Sequence, residues 1–197
     1  MKKLALILLL TIAGLCSSGT SYAGEGIYGS FSIGPAGVSS MSNGYILSGS
    51  GAELDLRVGH HASSGFTLFG ELYGIATEGI TADGDTCTEC SMTVGSHLLP
   101  SIGAGYYSKS GFSGLFSIGA PSFAISVPES LYGPSTNHDL GRGVMTKLTL
   151  GKDWLVADHV GLGLALNLGM GSFTNYSGHS VGVGTLALSF GGSFGAL

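Results

Sequence analysis

The sequence predicts an all-β protein, an eight-stranded antiparallel up-and-down transmembrane β-barrel. In residues 142–170 large apolar residues recur at every second position, as at Leu162, Leu166 and Met170, with small or polar residues between them. Side chains alternate across a strand, so each strand has one apolar face. Mean hydropathy is +0.42, yet no apolar run of 18 or more residues follows residue 23. A helical span is therefore excluded, whereas in a barrel only half of each strand faces lipid.

The N-terminus has the features of a cleaved signal peptide. Lys2 and Lys3 precede an apolar stretch at residues 4–15, and Ser21 and Ala23 flank Tyr22 in a small-x-small cleavage pattern. The apolar stretch is too short for a retained membrane helix. We therefore assign residues 1–23 to the signal peptide and residues 24–197 to one barrel domain.

Eight strands are expected: five at residues 27–33, 47–60, 65–76, 92–107 and 112–126, two within the hairpin 142–170, and one at 179–194. In the first, Ile27, Phe31 and Ile33 alternate with small or hydroxylated residues and with Tyr28. In the second, leucines alternate with Glu53, Asp55 and Arg57, and the third opposes leucines to Thr67, Phe69, Glu71 and Tyr73. Pro100 lacks a backbone donor, which predicts an interrupted pairing in strand four.

The later strands follow the same rule. Strand five alternates Phe112, Phe116 and Ile118 with Ser113, Leu115 and Ser117. Strands six and seven form the hairpin turned at Ala157-Asp158. Strand eight opposes Leu186, Leu188 and Phe190 to Thr185, Ala187 and Ser189. Long Gly/Ser/Asn-rich or polar connections are expected at residues 35–45, 77–91 and 127–141, and a medium one at 174–178. They alternate with short ones, as in bacterial barrels that have short periplasmic turns and longer external loops.

Aromatic residues cluster at the end of the barrel that carries the short turns. An interfacial girdle is expected there, because amphipathic rings are enriched where the hydrocarbon meets the headgroups. Its predicted members are Tyr28, Phe66, Tyr106, Phe112, Trp154 and Phe194. A soluble β-sandwich would explain eight strands but neither this clustering nor the alternation of loop lengths.

Five charged residues are predicted to point into the lumen: Glu53, Asp55, Arg57, Glu71 and Lys147. Unpaired buried charges are unfavourable, so we interpret them as an internal polar network in which Lys147 is a plausible partner for Glu53, Asp55 or Glu71. The alternative is a proton or ion pathway. Eight strands enclose a lumen just wide enough to be filled by side chains, which favours the network, although the many small lumen residues leave room for a water-filled cavity.

Cys87 and Cys90 lie in the polar loop predicted at 77–91. Because exported proteins meet an oxidising environment, an oxidised loop staple is the favoured state. A redox centre would need a helix start to lower the thiol pKa, and nearby Asp83, Asp85 and Glu89 act in the opposite direction. Metal binding by this cluster is a minor alternative, and we assign no metal site.

No catalytic residues and no cofactor site are predicted. The GxSxG pattern around Ser180 lacks any later Asp, Glu or His. The GxGxxA-like pattern that begins at Gly182 continues as an alternating strand, not as a helix. His179 and Ser180 are adjacent and point to opposite faces, His97 is followed at i+2 by Leu99, and the other histidines fall at strand ends or in loops.

The chain is acidic once the signal peptide is removed. Five Lys and Arg then face 12 Asp and Glu, a net charge of about −7. Such a chain has no basic stripe with which to neutralise phosphates, so nucleic acid is excluded as a partner.

The pattern over residues 24–197 resembles that of the small outer-membrane β-barrel proteins of Gram-negative bacteria, the outer-membrane β-barrel domain family. The hairpin GKDWLVADHVGLGLAL, from Gly151 to Leu166, is similar to one in an uncharacterised subgroup of single-barrel members. The resemblance implies an outer-membrane cell-envelope protein, bound to outer-membrane lipids. The sequence carries no signal for the oligomeric state, and a monomer is the favoured expectation. We expect a structural, adhesive or small-ligand-binding role through the loops Thr77–Ser91 and Val127–Gly141 without catalytic activity. The alternatives are a lipid-modifying enzyme of the lipid A deacylase or acyltransferase type and a narrow channel.

Overall fold

The computed structural model describes residues 25–42, 45–82, 85–95, 101–127, 136–174, 178 and 180–195. The predicted signal peptide lies outside these residues. Ten strand segments account for nearly all of them: β1 Gly26–Ser42, β2 Tyr45–His61, β3 Phe66–Ala82, β4 Asp85–Gly95, β5 Ser101–Tyr107, β6 Phe112–Gly119, β7 Ser122–Val127, β8 Thr136–Ala157, β9 Val160–Thr174 and β10 Ser180–Gly195.

These segments form a closed antiparallel barrel of eight strands. Segments β4 and β5 are two parts of the fourth strand, and β6 and β7 are two parts of the fifth, because each pair lies between the same neighbouring strands. Strand β1 pairs with β2 on one side and with β10 on the other, which closes the ring. The predicted eight-stranded up-and-down barrel is confirmed.

No helix in the described part of the chain is long and apolar enough to cross a membrane.

The stagger of the strands sets the height of the barrel. Successive cross-strand partners lead from Ile27 once around the ring and return to β1 at Gly37, ten residues further along; the path is His60, Leu68, Ala104, Phe116, Leu148, Leu168 and Leu186. With eight strands this stagger corresponds to a tilt of about 40°. At about 3.3 Å per residue, ten residues then rise by about 25 Å along the barrel axis.

The outer surface carries an apolar belt of about this height. Its large side chains are 38–73% exposed and include Ile27, Phe31, Ile33, Leu54, Leu56, Leu68, Leu72, Ile102, Phe116, Leu148, Leu150, Leu162, Leu166, Leu168, Met170, Leu186, Leu188 and Phe190. An outward apolar band about 25 Å tall is what a barrel in a bilayer presents to lipid. The alternation predicted along the strands therefore has its apolar face outward, not toward a core.

The in-out polarity of the strands inverts above this belt. On β9, Leu168 and Met170 point outward beside the inward Asn167, but further up the inward residue is Phe173 and the outward one is Ser172. On β10 the inward side changes from Ser189 and Thr185 to Val183 and Val181, while the outward side changes from leucines to Gly184, Gly182 and Ser180. Above the lipid the outside faces water, so the apolar side chains turn inward. We call this upper part the extension.

The extension corrects the predicted loops. Residues 35–42 continue β1, residues 77–82 continue β3, and Asp85 and Thr136 already belong to β4 and β8. These segments were predicted to be loops because they lack the membrane-embedded pattern, in which apolar residues face outward and polar residues face inward. In the extension the polar residues face outward instead. Residues 83–84, 128–135 and 175–177 lie outside the described residues.

Two local predictions about strand ends can be compared with the structure. The register along the fourth strand is interrupted as predicted: Gly95 pairs with Gly74 and Ser101 with Glu71, so a separation of six positions along the fourth strand matches a separation of three along β3. Pro100 itself lies outside the described residues. The predicted turn at Ala157-Asp158 is displaced by one residue, because Ala157 pairs with Val160 and the turn is Asp158-His159.

An arginine on the belt is expected to be unfavourable according to its depth. Leu166→Arg places a cation near the midplane and is expected to lower the free energy of unfolding by about 2–4 kcal/mol. Ser172→Arg, on the same face of the same strand but above the belt, is expected to change it by less than about 1 kcal/mol. Urea unfolding in phospholipid vesicles measures both. Equal effects would show that the belt does not lie in lipid.

Candidate functional site

A cluster of buried charges occupies the middle of the lumen. The structure places Glu53, Asp55, Arg57, Glu71 and Lys147 there, each at most 7% exposed. They come from β2, β3 and β8, whose inward faces the stagger brings to one level. We call these five residues the lumen network.

Every charged group of the lumen network has an opposite partner. Lys147 Nζ contacts Glu53 Oε1 at 3.1 Å, Asp55 Oδ2 at 2.6 Å and Glu71 Oε1 at 2.9 Å. Arg57 Nε donates to Glu71 Oε1 at 2.8 Å, and Arg57 Nη2 donates to Asp55 Oδ2. Two cations thus bridge three carboxylates, and Lys147 touches all three.

Neutral side chains complete the shell around these charges. Arg57 Nη2 also donates to Thr149 Oγ1 at 3.0 Å, and Ser117 Oγ donates to Glu71 Oε2 at 2.6 Å. Asn167 Nδ2 donates to Glu53 Oε2 at 3.1 Å and accepts from Thr149 through Oδ1 at 2.7 Å. Alternation along the strands placed Thr149 and Asn167 on the inward face, but it carried no information about their partners.

The lumen above the network is filled by apolar side chains. Phe123, Phe173, Met92 and Val94 have no exposed surface, and the Phe123 and Phe173 rings lie 5.6 Å apart between centroids. The cluster also contains Ala36, Val38, Tyr73, Ile75, Ile80, Cys90, Met145, Val181, Val183 and Ala187. We call it the apolar cap. It extends from the outer part of the membrane region into the extension, where the inward faces of the strands are apolar.

The lumen below the network is polar and has a small cavity. Its volume is about 40 Å³, and its lining includes Tyr28, Arg57, Tyr107, Asp153 and Ser193. A water needs roughly 10–15 Å³ of such volume, so the cavity has room for about three or four waters. Water therefore fits on the side of the network that faces the short turns, while the apolar cap fills the other side.

Tyr28 was predicted to belong to the aromatic girdle, and the structure shows that this is wrong. It points into the lumen, where it is 2% exposed and its hydroxyl lies 2.6 Å from that of Tyr107. Its position on β1 has the inward parity, and a buried hydroxyl needs a partner that lipid cannot provide. Four other predicted members, Phe66, Tyr106, Phe112 and Phe194, are 46–54% exposed on the outer surface, and Trp154 is half-buried on the same side.

The stagger brings these five outward rings to one level. When the stagger is followed from each strand to the next, the five rings lie within about 5 Å of each other along the barrel axis. Lys152 joins them from β8: its Nζ lies 4.5 Å from the centre of the Phe112 ring and donates to the Ser110 carbonyl. A lysine stem along an aromatic ring, with its head directed to a turn, suits a membrane interface.

Cys87 and Cys90 are joined by a disulfide, with a Cα–Cα distance of 5.4 Å. They lie in strand β4, not in the predicted loop, and the bond spans a bulge. Glu78 pairs with Ser91 and Ile80 with Cys87, so residues 88–90 oppose Gly79 alone, whose φ is +73°. In the described ranges, no group of three or more His, Cys, Asp or Glu side chains is arranged to hold a metal ion.

Removing the disulfide is expected to destabilise the β3–β4 hairpin moderately. A bond closing a four-residue loop contributes about 2 kcal/mol by the chain-entropy relation. The double variant Cys87→Ser/Cys90→Ser should lose about that much free energy of unfolding in detergent, and reduction of the wild-type protein should reproduce the loss. A double variant as stable as the oxidised wild type would contradict this stabilising role of the Cys87–Cys90 disulfide.

The described histidines form no hydrolytic triad by their contacts. His61 is buried, with Nδ1 2.7 Å from Thr67 Oγ1 and its ring edge-on to Tyr107. His60 and His159 are exposed, and Ser180 is exposed at the start of β10. His97 and His179 lie outside the described residues. His61 was not singled out from the sequence, and only its inward parity on β2 could have indicated its burial.

Comparison with known proteins identifies the fold. No protein-family model matches the sequence, and no curated protein matches it. The crystal structure of Neisserial surface protein A matches with a TM-score of 0.51 at 13% identity, over 85% of this chain and 96% of that one. The crystal structure of Ail, the attachment invasion locus protein of Yersinia pestis, matches with a TM-score of 0.52 at 16% identity, over 86% and 99%. This chain has the fold of the small outer-membrane β-barrel proteins.

Proposed function

We propose that this chain is an integral outer-membrane barrel that acts through its extracellular end, in a structural, adhesive or small-ligand-binding role and without catalysis. The observation that carries the proposal is the extension. Its strands continue beyond the lipid belt around an apolar core, and its outer surface is mostly polar, with Met41 and Ile46 as exposed apolar residues on the β1–β2 hairpin. A rigid scaffold that holds polar hairpins above a membrane is suited to recognition.

The β3–β4 hairpin is the described part of this end that carries the most charge. Glu78, Asp85 and Glu89 are exposed on it, and the Cys87–Cys90 disulfide braces the strand around Glu89. Arg142 is exposed on β8 at the same end of the barrel. An attachment role is also supported by the fold shared with Ail, the attachment invasion locus protein.

Shortening this hairpin tests the proposal. Glu78 and Ser91 are direct cross-strand partners, so an Asn-Gly turn can join them in place of residues 79–90. We expect the shortened barrel to reach the outer membrane in wild-type amounts. Bacteria carrying it should attach at least tenfold less well to mucin-, fibronectin- or polylysine-coated surfaces, or lose the detergent resistance that the wild-type gene restores to a deletion strain.

A matched control shortens the β1–β2 hairpin instead. Ser40 and Leu47 are also cross-strand partners, and an Asn-Gly turn can replace residues 41–46 there. This variant should keep the activity that the first one loses. If the variant lacking residues 79–90 behaves as wild type in both assays, the proposed role of this end is wrong.

Export by a cleaved signal peptide is part of the same proposal. The intact mass of the protein purified from membranes should correspond to a chain that begins at Gly24. A mass that includes residues 1–23 would contradict the proposed processing.

The closed lumen weighs against the channel alternative. The apolar cap fills the lumen above the lumen network, and the described network charges are paired with one another. The purified barrel should therefore give no discrete conductance steps in planar bilayers. For the lipid-modifying alternative, a lipid A composition that is unchanged on deletion of the gene is the expected result.

A further inference from the structure

A groove of about 440 Å³ lies on the outer wall where the lipid belt meets the extension. Four strands form it: β1, β2, β9 and β10. Leu168, Met170 and Leu186 line its lower part and are 38%, 73% and 53% exposed. Ser39 and Ser48, which are cross-strand partners, line its upper part. The groove therefore has an apolar lower half and a hydroxyl-bearing rim.

Outward-facing glycines give the groove its depth. Gly37 pairs with Leu186, and Gly184 pairs with both Met170 and Ser39, so these two glycines lie between the apolar and the hydroxyl-bearing residues. A Cβ added at Gly184 would meet no atom within 4 Å, and one at Gly37 would meet only the Gly49 carbonyl oxygen at 3.9 Å. The space over the glycines is thus open to the outside of the barrel.

The position of the groove indicates what fills it. Its lower half is continuous with the lipid-facing belt, so in a bilayer it is in contact with acyl chains. Its upper rim lies at the level where the outer polarity inverts, about 30 Å above the aromatic girdle. A molecule with an acyl chain below and hydroxyl groups directly above matches both halves of the groove, and none of the groove-lining side chains is charged.

A second groove on the wall provides a contrast. It has a volume of about 590 Å³ and lies within the belt; the side chains that line it, among them Val58, Ile102, Ala104 and Phe116, are all apolar. Acyl chains of any membrane lipid can fill such a groove. Of these two grooves, the upper one, with its serine rim, has a feature that distinguishes one headgroup from another.

We propose that the upper groove is a binding site for an outer-leaflet glycolipid. One acyl chain lies along Leu168, Leu186 and the glycines, and the sugar hydroxyl groups reach the hydroxyl groups of Ser39 and Ser48. The assignment rests on the outer-membrane placement proposed above but is independent of any role of the hairpins. It makes the wall of the barrel, and not only its loops, a site of specific recognition.

Native mass spectrometry of the detergent-purified barrel, with added lipid A or phosphatidylethanolamine, tests the site. We expect the wild-type protein to retain at least fivefold more lipid A than phosphatidylethanolamine. Gly184→Leu places a side chain in the groove, where its Cβ meets no atom within 4 Å, and should abolish this preference. Gly37→Leu is a second variant with the same expectation, should Gly184→Leu fail to fold.

Gly74→Leu is the matched control. Gly74 lies on β3, outside the residues that line the upper groove, and a Cβ there would also meet nothing within 4 Å. This variant should retain lipid A as the wild type does. Equal retention of the two lipids by the wild type, or undiminished lipid A on a folded Gly184→Leu or Gly37→Leu barrel, would overturn the site. A barrel absent from the outer membrane that still prefers lipid A would contradict only the proposed placement.

Discussion

Replacing Lys147 with Met is expected to lower the free energy of unfolding by about 3–5 kcal/mol. Lys147 Nζ lies within 3.1 Å of carboxylate oxygens from Glu53, Asp55 and Glu71. Without it, Arg57 alone balances three buried carboxylates. Oδ1 of Asp55 already has no hydrogen-bond partner among the described residues, so the cluster has little means of compensating.

Urea unfolding in detergent micelles, followed by Trp154 fluorescence and by gel mobility, measures this loss. Lys152→Met is the matched control, because Lys152 Nζ contacts only the Ser110 carbonyl and the Phe112 ring in the described structure. Loss of a single hydrogen bond there should lower stability by about 1 kcal/mol. Combining Lys147→Met with Glu53→Gln should recover part of the loss, since it removes one of the unbalanced charges. Equal effects of the two lysine variants would refute the lumen network as the main electrostatic support of the barrel.

Phe173→Ala is expected to lower the free energy of unfolding by about 3–5 kcal/mol. Phe173 is fully buried in the apolar cap and packs against Phe123. Its truncation leaves a cavity in a part of the barrel that lies above the lipid and is bounded by packed side chains. Thermal unfolding, monitored by gel mobility of samples heated to increasing temperatures, measures the effect.

Phe190→Ala is the control for position on the barrel. Phe190 is 54% exposed on the lipid-facing belt, where acyl chains can occupy the space that the ring leaves. We expect a loss of no more than about 1 kcal/mol there, because contact with lipid replaces contact with the ring. If Phe190→Ala costs as much as Phe173→Ala, then the outer surface, not the apolar cap, is the packed core.

Alternation along the strands predicted most of the membrane-embedded barrel. It identified eight strands, the inward charges and the outward leucines, because both faces follow one rule as long as lipid surrounds the barrel. It failed at the extension. There Val181 and Val183 take the inward positions and Ser180 takes an outward one, so the same alternation carries the opposite polarity. In the sequence, the outward positions of β10 change from Ser180, Gly182 and Gly184 to Leu186, and this change could have indicated where the extension begins.

The inward parity of Lys147 made Glu53, Asp55 and Glu71 its plausible partners, and the structure pairs it with all three, but the other contacts inside the lumen could not be read from the sequence. Lys147 and Glu53 are 94 residues apart and meet only because the stagger of ten residues brings β8 and β2 to one level. Tyr28 illustrates the same limit. Its place near the end of a strand predicted a girdle position, but its inward parity and the hydroxyl of Tyr107 decide where it lies.

Membrane fractionation, followed by gel mobility of boiled and unboiled samples, tests the central claim most directly. We expect the protein in the outer-membrane fraction, resistant to extraction by carbonate or urea. Unboiled, it should migrate faster than after boiling, because the closed hydrogen-bonded barrel stays folded in detergent until it is heated. A protein recovered in the soluble fraction, with the same mobility before and after boiling, would contradict the transmembrane barrel.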